Sequence, residues 1–247
     1  MLLFLVYHKV QEGAKGDIYS VTPETFVTHL QLVKESGVDI VDPRTLCETS
    51  YEHQNGCVFT FDDGTVDHFN VVLPLLRDFS VPGLFYVPTS KINGKGYLSR
   101  KQVQLLFAEG HTIGSHTSSH RRLDVLSQTS IKAEVEDSCE IIYDITGELP
   151  HHFAPPGGYY NHEVQQTAQQ AGYKFFRTMR WGYNRFFKPF QIEVVPMTNM
   201  LGSKFVECAL HGKEEWLLKF MYLLKNGARA MRPSSVMERL SKLSWTN

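Results

Sequence analysis

The chain has 247 residues, 42% of them apolar, and 25 basic against 26 acidic side chains give a net charge of -1. That near-neutral balance argues against nucleic acid as a partner, and the apolar share argues against a disordered or fibrous chain. No stretch approaches the roughly 18 consecutive apolar residues of a membrane span.

The length suits one domain, taken here as residues 1–247, and barrels of alternating strand and helix commonly reach this size. MLLFLVYHKV at the start lacks a basic leader and a small-residue cleavage site, so it reads as a strand rather than a signal peptide. Cys47, Cys57, Cys139 and Cys208 are widely spaced with no CxxC pair, as expected of free thiols in a reducing compartment. Together these features predict a cytoplasmic protein without a transmembrane segment.

In chain order, Leu2 to Tyr7 is a predicted buried strand, followed by a helix from the N-cap Thr22 and Pro23 to Gly37. Cys57 to Phe61 is the next strand and runs into Asp62-Asp63-Gly64. A helix over Asp67 to Phe79 should be kinked or divided near Pro74. Strand Gly83 to Val87, helix Arg100 to Glu109, a short strand at Thr112-Ile113 and helix Gln128 to Thr146 come next. Strand His152 to Ala154, helix Asn161 to Ala171 and strand Tyr173 to Thr178 continue the alternation. The pattern predicts an α/β fold with a parallel sheet closed into a distorted (β/α) barrel of about seven strand–helix units. A C-terminal helical extension is expected from about Lys213 to Met231, its Trp216, Leu217, Phe220 and Leu224 face packed on the barrel rather than on a membrane.

In such barrels chemistry sits at the C-terminal ends of strands, where Asp62-Asp63, His116 and Pro155 are predicted to fall. Adjacent carboxylates at a strand exit point in different directions, so one can face a metal and the other a substrate. Asp-Asp-Gly is equally good turn chemistry. His116 and His120 form an HxxxH pair, although 11 histidines in the chain would give about half of one such pair by chance. The small polar residues Ser115, Thr117, Ser118 and Ser119 around them favour a tight loop over an amphipathic helix. One carboxylate and two imidazoles suit a divalent ion with open positions. His29, His53, His68, His151, His152 and His162 read as surface or loop residues, and His8 as a possible neighbour of the site.

At these positions the chain resembles the polysaccharide deacetylases of carbohydrate esterase family 4, with the NodB homology fold. The resemblance covers roughly residues 2 to 182. It is carried by Thr60-Phe61-Asp62-Asp63-Gly64 and His116-Thr117-Ser118-Ser119-His120, with support from Gly110 to Ser115 and Tyr7-His8-Lys9-Val10. It implies Asp62 as general base, Asp63, His116 and His120 as metal ligands, and zinc as the ion. Phe153 to Asn161 resembles the family's third motif, with Ala154 where an arginine normally orients the catalytic aspartate and Gly157 in place of an aromatic residue. Arg177 and Arg180 are the candidates to replace that arginine. By the same resemblance Gly157 would offer a backbone N–H to an oxyanion, with Tyr159, Tyr160 and Trp181 on the substrate side. Leu210-His211 matches the Leu-His pair that supplies the general acid, though the segment also reads as a helix. The implied reaction is metal-dependent removal of N-acetyl groups from an oligo- or polysaccharide, a cell-envelope glycan or its precursor. A catalytically silent sugar-binding domain, a hydrolase of another amide or O-acetyl ester, and an iron-dependent oxygenase are the rivals. The oligomeric state is not legible in the sequence.

Overall fold

The computed structural model describes residues 1–13, 17–47, 56–199 and 201–230. Seven strands close a parallel barrel in the order β1 (Leu2–Tyr7), β4 (Gly56–Phe61), β5 (Gly83–Val87), β6 (Thr112–Ser115), β7 (His152–Phe153), β8 (Phe175–Trp181) and β9 (Ile192–Pro196). β1 pairs along its length with β4, Leu2 opposite Gly56 and Tyr7 opposite Phe61, and closes the barrel by pairing Leu5 with Val195 of β9. Every residue of β1, β4 and β5 is buried, which is why these strands read as continuous apolar runs without polar alternation. Two short strands, β2 (Lys9–Val10) and β3 (Ser20–Val21), pair beside the exit of β1.

The helices begin and end where local chemistry sets them. In α1 (Pro23–Glu35), the Thr22 side chain accepts from the Thr25 N–H, satisfying one of the free first-turn donors. The expected Asp67–Phe79 helix is divided: a π-helical turn at His68–Val72 precedes α2 (Leu73–Phe79), so Pro74 sits in a first turn, where its missing N–H costs nothing. α3 (Arg100–Ala108) starts with a reciprocal Ser99–Gln102 capping box. α4 (Gln128–Thr146) is capped by Ser127 and ended by left-handed Gly147, and α5 (His162–Gln170) is capped by Asn161. α6 (Ser203–Leu210) and α7 (Glu215–Ala230) complete the chain as described. Among the described residues no helix is long and apolar enough to cross a membrane.

Two expectations change. α7 lies against the barrel through buried Leu218 and partly buried Met221 and Tyr222, so Trp216, Phe220 and Leu224 face outward at 68%, 51% and 58% exposure. At 3.6 residues per turn, the face rich in large apolar groups is not the one that docks. His29, His68 and His152 are core residues, not surface ones. His53 lies outside the described residues, as does the Cys47 side chain; Cys57, Cys139 and Cys208 are free thiols.

The buried histidines make the fold acid-sensitive. Tyr7, whose pKa burial raises well above its usual value, donates to His29 Nδ1 at 3.1 Å. Burial pushes the pKa of His29 down to about 4 and that of His152 to about 3. Unfolding returns both to about 6.5, so between those values the unfolded chain binds more protons than the folded one. Stability is therefore full above pH ~6.5 and falls by up to ~1.4 kcal/mol per pH unit per group as pH drops toward 4. Urea midpoints should fall over that range, and less steeply in His29→Leu; parallel slopes in the two proteins would contradict the assignment.

Candidate active site

Asp62 and Asp63 leave β4 at its C-terminal end. The Asp62 N–H donates to Tyr7 O at 2.9 Å, continuing the β1–β4 ladder by one residue, and its side chain turns inward, 3% exposed. Asp63 then takes a left-handed conformation, φ 74°, and Gly64 follows at φ 61°, so successive carboxylates diverge. The left-handed region is tolerated best by Gly, Asn and Asp. Turn and site thus coincide: the turn chemistry of Asp-Asp-Gly is what separates the two acids.

Arg177 of β8 is fully buried and reaches Asp62 through Nη2, which lies 2.7 Å from Oδ1 and 2.6 Å from Oδ2. Its guanidinium also sits 4.8 Å over the Tyr86 ring. Arg180, between Met179 and Trp181 on the same strand, points outward and pairs with Glu193 at 3.5 Å. Of the two candidates, Arg177 is the one that contacts Asp62. Ala154, where the family arginine would stand, is fully buried.

The His116-to-His120 segment is a loop after β6, with Thr117 at φ 67° and His120 at φ 61°. Those two reversals, rather than a helical turn, bring the imidazoles together, with ring centroids 4.9 Å apart. His116 Nδ1 is 2.7 Å from Ala154 O; the carbonyl can only accept, so Nδ1 carries the proton and a neutral ring turns the Nε2 lone pair toward Asp63. Asp63 Oδ1 lies 3.4 Å from that nitrogen and 3.0 Å from His120 Nε2. One ligand atom from each residue lies within 4.8 Å of the others. A lone pair facing a carboxylate oxygen is repulsive unless a proton or a cation lies between them, so this donor set fits a divalent ion. Burial acts to raise the Asp63 pKa, but contacts with His116 and His120 and the charge of His8 outweigh it and hold the carboxyl well below its usual range. The Asp63 and His120 side chains, 18% and 24% exposed, border a shallow depression walled by Pro88, Lys91 and Tyr97.

His8, the residue after β1, places Nε2 3.9 Å from Asp62 Oδ2, and its ring packs 4.9 Å from Tyr19. Burial lowers its pKa against the opposing pull of Asp62 and Asp63. From the sequence it reads as a neighbour of the site without a role of its own. Gly157 turns at φ 61°, and a Cβ there would come within 2.8 Å of the Tyr159 ring, so any side chain at this position would be strained and would displace that ring. Tyr159 is stacked by Arg122 at 3.9 Å, while Tyr160 packs inward on Phe176. Trp181 is 8% exposed and lines an apolar cavity of about 210 Å³ with Tyr19, Leu201 and Met221, Lys225 lying 4.8 Å over its ring. His211 is not brought to this cluster. It caps α6 at the surface beside Gly212, which packs against Met1 and accepts from Arg185, at the N-terminal end of β1 and so across the barrel from Asp62.

A family model described as polysaccharide deacetylase matches residues 51–176, about half of the chain. The chain belongs to the polysaccharide deacetylase family. Within it, the chain is 32% identical over 127 residues to the peptidoglycan-N-acetylglucosamine deacetylase of Bacillus cereus, covering 51% of this chain. It is 24% identical over 177 residues to YxkH of Bacillus subtilis, covering 70% of this chain. The matched parts span 62% of YxkH and 56% of the Bacillus cereus protein. Its fold is shared with the Streptococcus pyogenes deacetylase PplD (TM-score 0.75, 22% identity, 83% of this chain and 96% of that one). IcaB from Ammonifex degensii has it too (TM-score 0.77, 20% identity, 85% and 96%).

Proposed function

We propose that this polysaccharide deacetylase hydrolyses N-acetyl groups on a glycan, with Asp62 as general base, a divalent ion on Asp63, His116 and His120, and His8 as proton donor to the leaving amine. The observation that carries the reading is the division of labour at one strand-end cluster. Arg177 fixes one carboxylate, while the other shares a three-atom donor set with two imidazoles. One carboxylate with two borderline-soft nitrogens suits zinc. When bound, the ion would act as a Lewis acid and lower the pKa of a coordinated water to about 7.

The chain's own residues supply the rest. Arg177 holds Asp62 in one orientation, ready to take the proton of the attacking water. His8, 3.9 Å from Asp62 Oδ2, can pass on to the departing nitrogen the proton that Asp62 takes up. A backbone N–H at Gly157 would help to bind the oxyanion, a role that needs no side chain. Trp181 and the stacked Tyr159 would bound the sugar. The alternative of a silent sugar-binding module is motivated by Ala154 and the divergent later motifs, and Arg177 answers the first of these by supplying a guanidinium from another strand. If the address is cytoplasmic, a precursor of cell-envelope glycan is the favoured substrate over mature wall polymer.

The test is metal content together with acetate release from N-acetylglucosamine oligomers, with and without chelator. One equivalent of metal and chelator-sensitive release are expected; metal without release would redirect the search to another acylated substrate. For the acid, His8→Ala should lower kcat by ~10²–10⁴-fold and His211→Ala by less than about two-fold. The reverse ranking would restore His211.

A further inference from the structure

α4 carries a buried carboxylate that its amphipathic pattern does not require. Its inner face is Ile131, Val135, Cys139 and Ile142, yet Glu134 and Ser138, one turn apart on that side, are 7% and 0% exposed. Among the described residues no lysine, arginine or histidine forms an ion pair with Glu134. Its partners are instead in the His116–His120 loop. Glu134 Oε2 accepts the Ser119 N–H at 2.7 Å, and Oε1 accepts from Ser119 Oγ. Its main-chain carbonyl accepts the Ser118 N–H at 3.1 Å. One turn on, Ser138 Oγ meets Ser115 Oγ at 2.7 Å, and Ser115 Oγ in turn accepts the Thr117 N–H at 3.1 Å. The helix therefore grips the loop at both ends. A buried carboxylate is costly unless fully hydrogen-bonded, and two left-handed residues, Thr117 between the grips and His120 directly after the second, persist only when their surroundings over-determine them.

We propose that Glu134 is a positioning residue for metal binding: it fixes the Ser118–Ser119 turn so that His116 and His120 converge on Asp63 before any ion arrives. This rests on the metal reading above. Glutamine can keep both bonds, accepting from the Ser119 N–H and donating to its Oγ, whereas alanine can keep neither, so the two substitutions separate geometry from charge.

The experiment is zinc affinity by competition with a chromophoric chelator, run beside amide hydrogen exchange of the metal-free protein. Glu134→Ala should weaken zinc binding ~10–100-fold, Glu134→Gln by no more than about three-fold, and exchange at 118–120 should quicken in the alanine variant only. Unchanged zinc affinity in folded Glu134→Ala would overturn the proposal, even with a lowered Tm. If that variant does not fold, Ser119→Ala should weaken binding in the same direction, and unaltered affinity there would overturn it equally. Wild-type protein that takes up no zinc would defeat the metal reading itself. Loop exchange indifferent to Glu134→Ala would defeat the clamp whatever the zinc result.

Discussion

Asp62→Asn is expected to reduce acetate release by ~10²–10⁴-fold, the usual share of a general base, without loss of bound metal. Asparagine keeps the shape of the side chain and one acceptor for Arg177 Nη2, but its amide cannot take a proton from water. The metal should stay because Asp63, not Asp62, shares the 4.8 Å donor set with the histidines. Measuring acetate release and metal content on the same preparation separates the two roles. Activity within a few-fold of wild type would remove Asp62 as base. Loss of metal would instead make it a ligand.

Arg177→Met should be the most destabilising single change near the site. The substitution fits the volume but leaves the Asp62 carboxylate, 3% exposed, without its cation, and breaking a buried pair in this way costs about 3–5 kcal/mol. The base also loses the contact that fixes its orientation, so kcat/KM for acetate release should fall together with stability. Arg177→Lys keeps a cation but loses the planar guanidinium that lies over Tyr86 and reaches Met179, so it should recover part of the stability and only part of the rate. Denaturant midpoints and acetate-release rates check both statements. A methionine variant as stable and as active as wild type would mean that Arg177 serves packing alone.

What the sequence revealed of this site is what lies contiguous in it. Asp62-Asp63-Gly64 and His116-to-His120 are short runs whose chemistry is local, and the turn that separates the acids is encoded by the same residues that do the binding. Arg177 is 115 residues from Asp62, so nothing adjacent reports the pair. The available signal was a charged side chain set among the buried Phe175, Phe176 and Met179, where an unpaired guanidinium would be prohibitive. His8 carried a similar signal, an imidazole directly after a wholly apolar strand. Leu210-His211 misled because a two-residue match outweighed Val206, Ala209 and Leu210, whose spacing is helical and whose burial forms the inner face of α6. β9 went unread because Ile192–Pro196 is short and has Pro189 just before it and Pro196 at its end, features that demote a run from central strand. The barrel itself was legible because apolar strands and helices alternate without interruption from β4 to β8.

The closing of the barrel also dictates when the molecule becomes competent as it is made. Of the barrel strands β1 is made first and its second neighbour, β9, last, and until β9 arrives one edge of β1 lacks its barrel partner. At roughly 5–20 residues per second, the 115 residues between Asp62 and Arg177 take about 6–23 s to synthesise. Throughout that interval Asp62 has no guanidinium to meet it. Its desolvation is deferred to the late, non-local step that seats β8 and β9, so a nascent or truncated chain ending before β8 carries both conspicuous motifs and still lacks the buried ion pair that orients the first of them.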